Sequence, residues 1–219
     1  MPNEKTLELN ITHEILEICR RYDPRAFALG TTLVQESHQG YDSKIIARFS
    51  PSWLTSPLQY KKPVNRKSLG TNTFEYIFDI NNNTYHDQHL ILYHHLAGGK
   101  RRVAFYALPA IFTNAEFYSS LPILRTRTFL VDVTEIQPHW VDNQTHRLHL
   151  FPHLRMALLH STDEIKIETL SLEEFEKLVA RNEIGLPIYA MMENMKMPFA
   201  ENLKTESKRP RFLFNIFPR

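Results

Sequence analysis

A single cysteine, Cys19, occurs among the 219 residues, so neither a disulfide framework nor a cysteine-based zinc site is possible within one chain. Long apolar runs are missing as well. No stretch approaches the roughly 20 apolar residues needed to span a bilayer, and the opening Met-Pro-Asn-Glu-Lys-Thr lacks a basic region followed by an apolar segment. A soluble, cytoplasmic protein with no membrane partner is the expectation. Neither sign of charge is in excess, because 26 Lys and Arg face 24 Asp and Glu, for a net charge of +2. Contact with nucleic acid must therefore come from local clusters. The chain also lacks the Gly-x-Ser-x-Gly of a serine hydrolase. Gly98-Gly99-Lys100 has neither the glycine spacing nor the following hydroxyl residue of a phosphate-binding loop.

What is present is globular composition, 42% hydrophobic and 23% charged, in a chain long enough to bury a core without staples. Thr6 to Tyr22 places Leu7, Ile11, Ile15, Ile18 and Cys19 at three- and four-residue spacing, the pattern of an amphipathic helix closed by Pro24. Phe27 to Val34 reads as a strand leading into a polar bend. Tyr41 to Phe49 alternates as a second strand, and Ser50 to Pro57 reads as a loop. Leu58 to Lys62 then puts Leu58 and Tyr60 on one side, Gln59 and Lys61 on the other. Phe74 to Ile80 alternates again, Tyr85 to Ala97 has helical spacing that Gly98-Gly99 stops, and Val103 to Leu108 is continuously apolar, as in a strand covered on both faces. These last three segments read as a βαβ unit. The first half is thus helix, three or four strands, helix, strand.

Farther on, Asn114 caps a short predicted helix to Leu121, and Thr128 to Ile136 reads as a strand. His146 to Phe151 and Met156 to Ser161 suggest a hairpin, while Ser171-Leu-Glu-Glu174 is a capping box opening a helix to about Arg181. No linker divides the chain, so residues 113–219 are expected to pack on a core formed by 1–112 as one continuous fold.

Polar chemistry gathers in the first half. Glu36 lies at the bend, Asp42 starts the following strand, and Gln59 and Lys61 share one side of the strand after that. Mg²⁺ takes oxygen ligands, typically one or two carboxylates with water and substrate phosphate. Glu36, Asp42, the Gln59 amide oxygen and a main-chain carbonyl at Tyr60 form such a set, with Mn²⁺ as the substitute ion. Lys61, two residues past a ligand, is placed to orient or deprotonate the attacking water and to stabilise transition-state charge.

The pattern Gly40-Tyr41-Asp42 followed by Gln59-Tyr60-Lys61, with Asp42 and Gln59 separated by 17 positions, resembles the PD-(D/E)XK nuclease superfamily, in particular Mrr-like restriction endonucleases. Gln59 stands where Asp or Glu is commoner, and Tyr41 where the family has proline. The resemblance covers about half of the chain. It implies a restriction-endonuclease-like αβββαβ core with a mixed sheet, and C-terminal α+β additions. It also implies Mg²⁺-dependent hydrolysis of DNA phosphodiester bonds in restriction or anti-phage defence. Glu36, Asp42 and Gln59 would hold the metal, Lys61 would serve the water, and Gln88 would support the site from the following helix. DNA is then the expected partner, with a homodimer or a defence-system protein as a further one. The alternative is an inactive nuclease-fold subunit for DNA binding or assembly. A third reading, an interaction protein of different topology, would follow from a missing crossover at residues 74 to 108.

Two other groups stand out. Lys62, Arg66 and Lys67, then Lys100, Arg101 and Arg102, and later Arg125 and Arg127, are basic clusters suited to phosphate contact. The 11 histidines cluster as His86, His89, His94 and His95 and as His146, His149, His153 and His160. Without a His-Glu-x-x-His, packing or exposure is the expected role of these rings. The tail from Lys208 mixes cations with Phe212, Phe214 and Phe217 and suits packing or partner docking.

Overall fold

Every residue from Val103 to Ile111 is buried, and the fold closes around this apolar run. The computed structural model describes residues 1–32, 36, 40–49, 52–80, 88–94, 103–120, 124–140, 146–160, 163–181, 183–184 and 186–187. Helix α1 (Glu4–Arg20) is followed by β1 (Phe27–Gly30), β2 (Ser43–Phe49) and β3 (Ser52–Tyr60). A hairpin of β4 (Asn65–Gly70) and β5 (Thr73–Asp79) leads to α2 (Gln88–His94) and β6 (Phe105–Pro109). Then come α3 (Asn114–Ser120), β7 (Thr128–Asp132), α4 (Val133–Ile136), β8 (Arg147–Phe151), β9 (Met156–His160), β10 (Glu164–Glu168), β11 (Leu170–Ser171), α5 (Leu172–Ala180) and β12 (Leu186–Pro187).

The strands form two sheets. The mixed sheet has the order β1-β2-β3-β6-β7-β11, with β12 also on β3, and among the described residues its one parallel pairing joins β3 to β6, Leu58 opposite Phe105. The second sheet, β10-β9-β8-β5-β4, is antiparallel throughout. Period-two alternation sorts β6 between two cores. Phe105 and Ala107 pack with Leu7, Ile11 and Ile15 of α1 and with Phe175 and Val179 of α5. Tyr106 and Leu108 pack with Phe78, Leu148, Leu150 and Leu159 of the second sheet and with Leu92 of α2. The result is three layers: helices, mixed sheet, antiparallel sheet.

Most predicted elements are present, with shifted ends. The capping box at Ser171 and Glu174 is complete, with both reciprocal bonds made. Several expectations are corrected. Residues 52–57 continue β3 instead of forming a loop. Pro57 is tolerated because it stands opposite Lys44 where the other edge of β3 passes from β12, at Leu54 and Thr55, to β6, at Leu58, so its missing N–H costs no paired position there. Residues 74–80 and 103–108 do not share a sheet: the crossover to β6 starts from β3 and carries the β4–β5 hairpin and α2 within it. The strand expected over 128–136 stops at Asp132, whose carboxylate accepts from the Thr134 backbone at 2.9 Å and its hydroxyl at 2.7 Å, opening α4. Helix α3 is capped by Thr113, not Asn114, through Thr113 Oγ1 and the returning Glu116 carboxylate. Strand β4 carries no signal of its own and exists through pairing with its neighbour, whereas Ile165 and Ile167 alternate along β10, a strand signal that the predicted elements omit. Residues from both sides of position 112 build each sheet.

Glu116 ties the layers together. Its carboxylate accepts from the backbone of Phe112 and Thr113, the Thr113 hydroxyl, the Tyr76 phenol and Arg66. Burial pushes this carboxyl up, but those bonds outweigh it and its pKa lies below the ordinary value. Truncating one member of such a network leaves the donors unmatched. The Glu116→Ala variant should lose about 3 kcal/mol of stability in urea unfolding, and a loss below about 0.5 kcal/mol would show that the carboxylate does not join the layers.

Candidate functional site

The end of β2 is held from two sides. Thr31, just past β1, donates its backbone N–H to the Asp42 carbonyl at 2.8 Å, and its hydroxyl lies 2.9 Å from the Tyr41 and Asp42 carbonyls. On the other side the Asp42 N–H donates to Leu58 at 3.1 Å. Upstream, Gly40 turns through a left-handed φ of 71°, a conformation that glycine adopts without steric cost. The Gly40 N–H donates to the Glu36 carbonyl at 2.7 Å, so Glu36 sits one turn from the start of β2.

These constraints lay the Asp42 carboxylate against β3. Oδ2 accepts from the Tyr60 N–H at 2.6 Å, the peptide between Gln59 and Lys61. One step beyond the last paired positions, Ser43 opposite Leu58, Asp42 stands across from Gln59. The predicted Asp42, Gln59, Tyr60 and Lys61 are thus together at one end of the β2–β3 seam. Lys61 continues the pairing to β6 through its N–H and the Ala107 carbonyl, 3.1 Å apart. The Tyr60 phenol turns to the helix side, 2.7 Å from Thr12 and 3.3 Å from Ser43. The Gln59 side chain is on the opposite face, 2% exposed, and its Oε1 is buried without a hydrogen-bond partner among the described residues.

The electrostatics match this crowding. The Asp42 pKa is raised to about 8: burial is the largest cause and the Glu36 and Glu8 carboxylates add to it, against the opposing pull of the Tyr60 N–H and the Lys61 ammonium. Glu8 is a member that sequence reasoning missed. It occupies the buried stripe of α1 three residues before Ile11 and seven before Ile15, is 8% exposed, and pairs with Lys5 at 2.7 Å. A carboxylate in an apolar helix stripe is itself the signal that could have found it. Thr31 left no such trace. A groove of about 400 Å³ beside these residues runs between α1 and β1 and is lined by Lys5, Glu8, Thr12, His13, Arg20 and Ser43 among others.

The remaining predicted residues scatter. Lys62 and Lys67 are exposed. Arg66 is turned inward: it pairs with Glu116 at 2.7 Å and lies over the Phe74 ring at 4.5 Å, because the register puts it beside Tyr76 on the core face of β4. Its guanidinium is committed to the fold and does not join an exposed basic surface. Arg125 is likewise paired, with Glu176 at 2.6 Å. Lys100, Arg101 and Arg102, the side chain of Gln88, His86, His95 and the basic aromatic tail lie outside the described residues. No group of three or more His, Cys, Asp or Glu poised around one ion occurs among the described residues.

Comparison with protein-family models, with curated proteins and with solved structures yields no match to this chain.

The Asp42 shift has a consequence for folding. An unfolded aspartate ionises near 3.9 and the folded one near 8, so between these values the folded chain holds a proton that the unfolded chain has lost. Stability must fall as pH rises through this window and level off above it, by an amount on the order of 5 kcal/mol. In metal-free buffer the melting temperature of the natural chain should therefore drop from pH 5 to pH 8.5 relative to Asp42→Asn, and parallel profiles for the two proteins would refute a buried, repelled carboxylate.

Proposed function

We propose that this chain is a divalent-metal-dependent endonuclease of the PD-(D/E)XK type that hydrolyses DNA phosphodiester bonds. The observation that carries the reading is the unpartnered, buried Gln59 Oε1 on the strand whose next amide binds the Asp42 carboxylate. A buried amide oxygen without a donor is costly, and a hard cation is a partner that would satisfy it.

The donor chemistry fits Mg²⁺. Asp42 and Glu36 offer carboxylates, Gln59 an amide oxygen and Tyr60 a main-chain carbonyl, an all-oxygen set of the kind that ion prefers. When bound, Mg²⁺ would neutralise charge on the scissile phosphate and lower the pKa of a bound water. The protein's own part is positional. Thr31 and Tyr60 hold Asp42 in place from both sides, and the β3–β6 pairing at Ala107 holds the backbone from which the Lys61 ammonium projects. Lys61 then orients the attacking water and stabilises the negative charge that builds on the phosphoryl oxygens. The chain order α1, β1–β3 meander, α2, β6, with β6 parallel to β3, supports the same reading. The β4–β5 hairpin interrupts that order, and the absence of a strand–helix–strand unit within one sheet over residues 74–108, among the described residues, favours the third reading, an interaction protein of different topology. The role in restriction or defence, and a homodimer able to cut both strands, belong to the proposal through the family resemblance.

Incubation of supercoiled plasmid with the full chain and Mg²⁺ or Mn²⁺ should yield nicked and linear products. Lys61→Ala should lower the rate by at least about 10²-fold, and Asp42→Asn should do the same. Nicking that survives in Lys61→Ala would overturn the mechanism. DNA retention without cleavage by the natural chain, across metals and DNA modifications, would instead assign the inactive DNA-binding or assembly role.

A further inference from the structure

The second sheet gathers another set of titratable groups on its outward face. Tyr76, Phe78, Leu148, Leu150 and Leu159 point into the core, so alternation turns Glu75, His149, His160 and Glu164 the other way. His149 and His160 are diagonal neighbours on β8 and β9, His149 opposite Leu158 and His160 opposite Arg147. Their ring centroids are 3.8 Å apart, with planes tilted by 38°. Each ring has a carboxylate at Nδ1: Glu75 bonds to His149, and Oε1 of Glu164 lies 3.3 Å from His160.

A carboxylate oxygen accepts, so the bond to Glu75 favours the His149 tautomer with the proton on Nδ1 and the lone pair on Nε2. Nε2 of His160 is buried without a hydrogen-bond partner among the described residues. The nearby Arg147 is itself matched, its guanidinium 2.9 Å from Asp79.

We propose that His149 and His160 form a two-imidazole site for a divalent transition metal ion of the Zn²⁺ class, with Glu75 and Glu164 orienting the rings. A carboxylate on the far nitrogen is the usual outer partner of a metal-bound histidine. Imidazole selects Zn²⁺, Cu²⁺ or Ni²⁺ over Mg²⁺, so the site differs in kind from the oxygen set around Asp42. Zinc-to-nitrogen distances of about 2.0–2.1 Å put two ligands on one ion no more than about 4.2 Å apart, a spacing that rings already in contact reach by splaying. Water completes the coordination, since no third His, Cys, Asp or Glu joins the pair among the described residues. The ion is therefore exchangeable and cross-links β8 to β9. Histidines read from sequence as packing residues thus acquire a ligand through the register that sets them side by side.

Isothermal titration of ZnCl₂ into the full chain, held in excess Mg²⁺ to occupy oxygen sites, tests the proposal without reference to nuclease activity. The natural chain and Asp42→Asn should bind one Zn²⁺ with equal affinity. His149→Gln and His160→Gln should each bind at least tenfold more weakly, and Glu75→Gln, which keeps both rings, about tenfold more weakly. Equal isotherms in all variants, or no binding by the natural chain, would overturn it. As a check independent of variant folding, ¹⁵N spectra of the natural chain should show the Nε2 signals of His149 and His160 moving with Zn²⁺, and movement confined to other histidines would also overturn it.

Discussion

The pairing of β3 on both its edges is the constraint on which this structure depends. One edge runs antiparallel to β2 and the other parallel to β6. An antiparallel neighbour needs only a tight turn, whereas a parallel neighbour demands a long crossover. That excursion is where the β4–β5 hairpin and α2 are inserted, and the hairpin supplies two of the five strands of the second sheet. The same strand positions the polar residues. Its alternation sends Leu58 and Tyr60 into the helical layer and leaves Gln59 on the opposite face, while its amide between them binds Asp42.

Two half-buried carboxylates, Glu116 and Asp42, show how donor supply sets charge state. Glu116 collects donors from Arg66, Tyr76, Phe112 and Thr113 and titrates below its ordinary range. Asp42 receives one side-chain hydrogen bond among the described residues, from Tyr60, and burial, with the Glu36 and Glu8 carboxylates adding to it, raises its pKa. The first arrangement is self-sufficient and joins layers. The second has fewer donors among the described residues, and its charge is held back.

Much of the fold was legible because its signals are local. The apolar spacing of α1, the unbroken run of β6 and the capping box of α5 each depend on neighbours within a few residues of chain. The misreadings share the opposite property. Residues 52–57 looked like a loop because Pro57 and the serines carry turn statistics, and only the placement of β12 and β6 shows that the missing amide falls where no partner is needed. Arg66 looked like one of a basic cluster, and register turned it inward to Glu116. At the candidate site, Asp42, Gln59 and Lys61 were legible from residue type and alternation, whereas Glu8 approaches them from a helix more than 30 positions away in sequence and Thr31 acts through hydrogen bonds to main chain.

Sequence alone determined which segments bury apolar surface, because hydrophobic period is written residue by residue, and which side of β3 carries Gln59 and Lys61, because strand alternation admits only two choices. Tertiary structure alone decided that residues 74–80 leave the mixed sheet for a second one, that a carboxylate from α1 faces Asp42, and that two histidines 11 positions apart stack on adjacent strands. Strand partners and cross-layer contacts are chosen by the global competition for burial and hydrogen bonds, and no single stretch of the chain contains both sides of that choice.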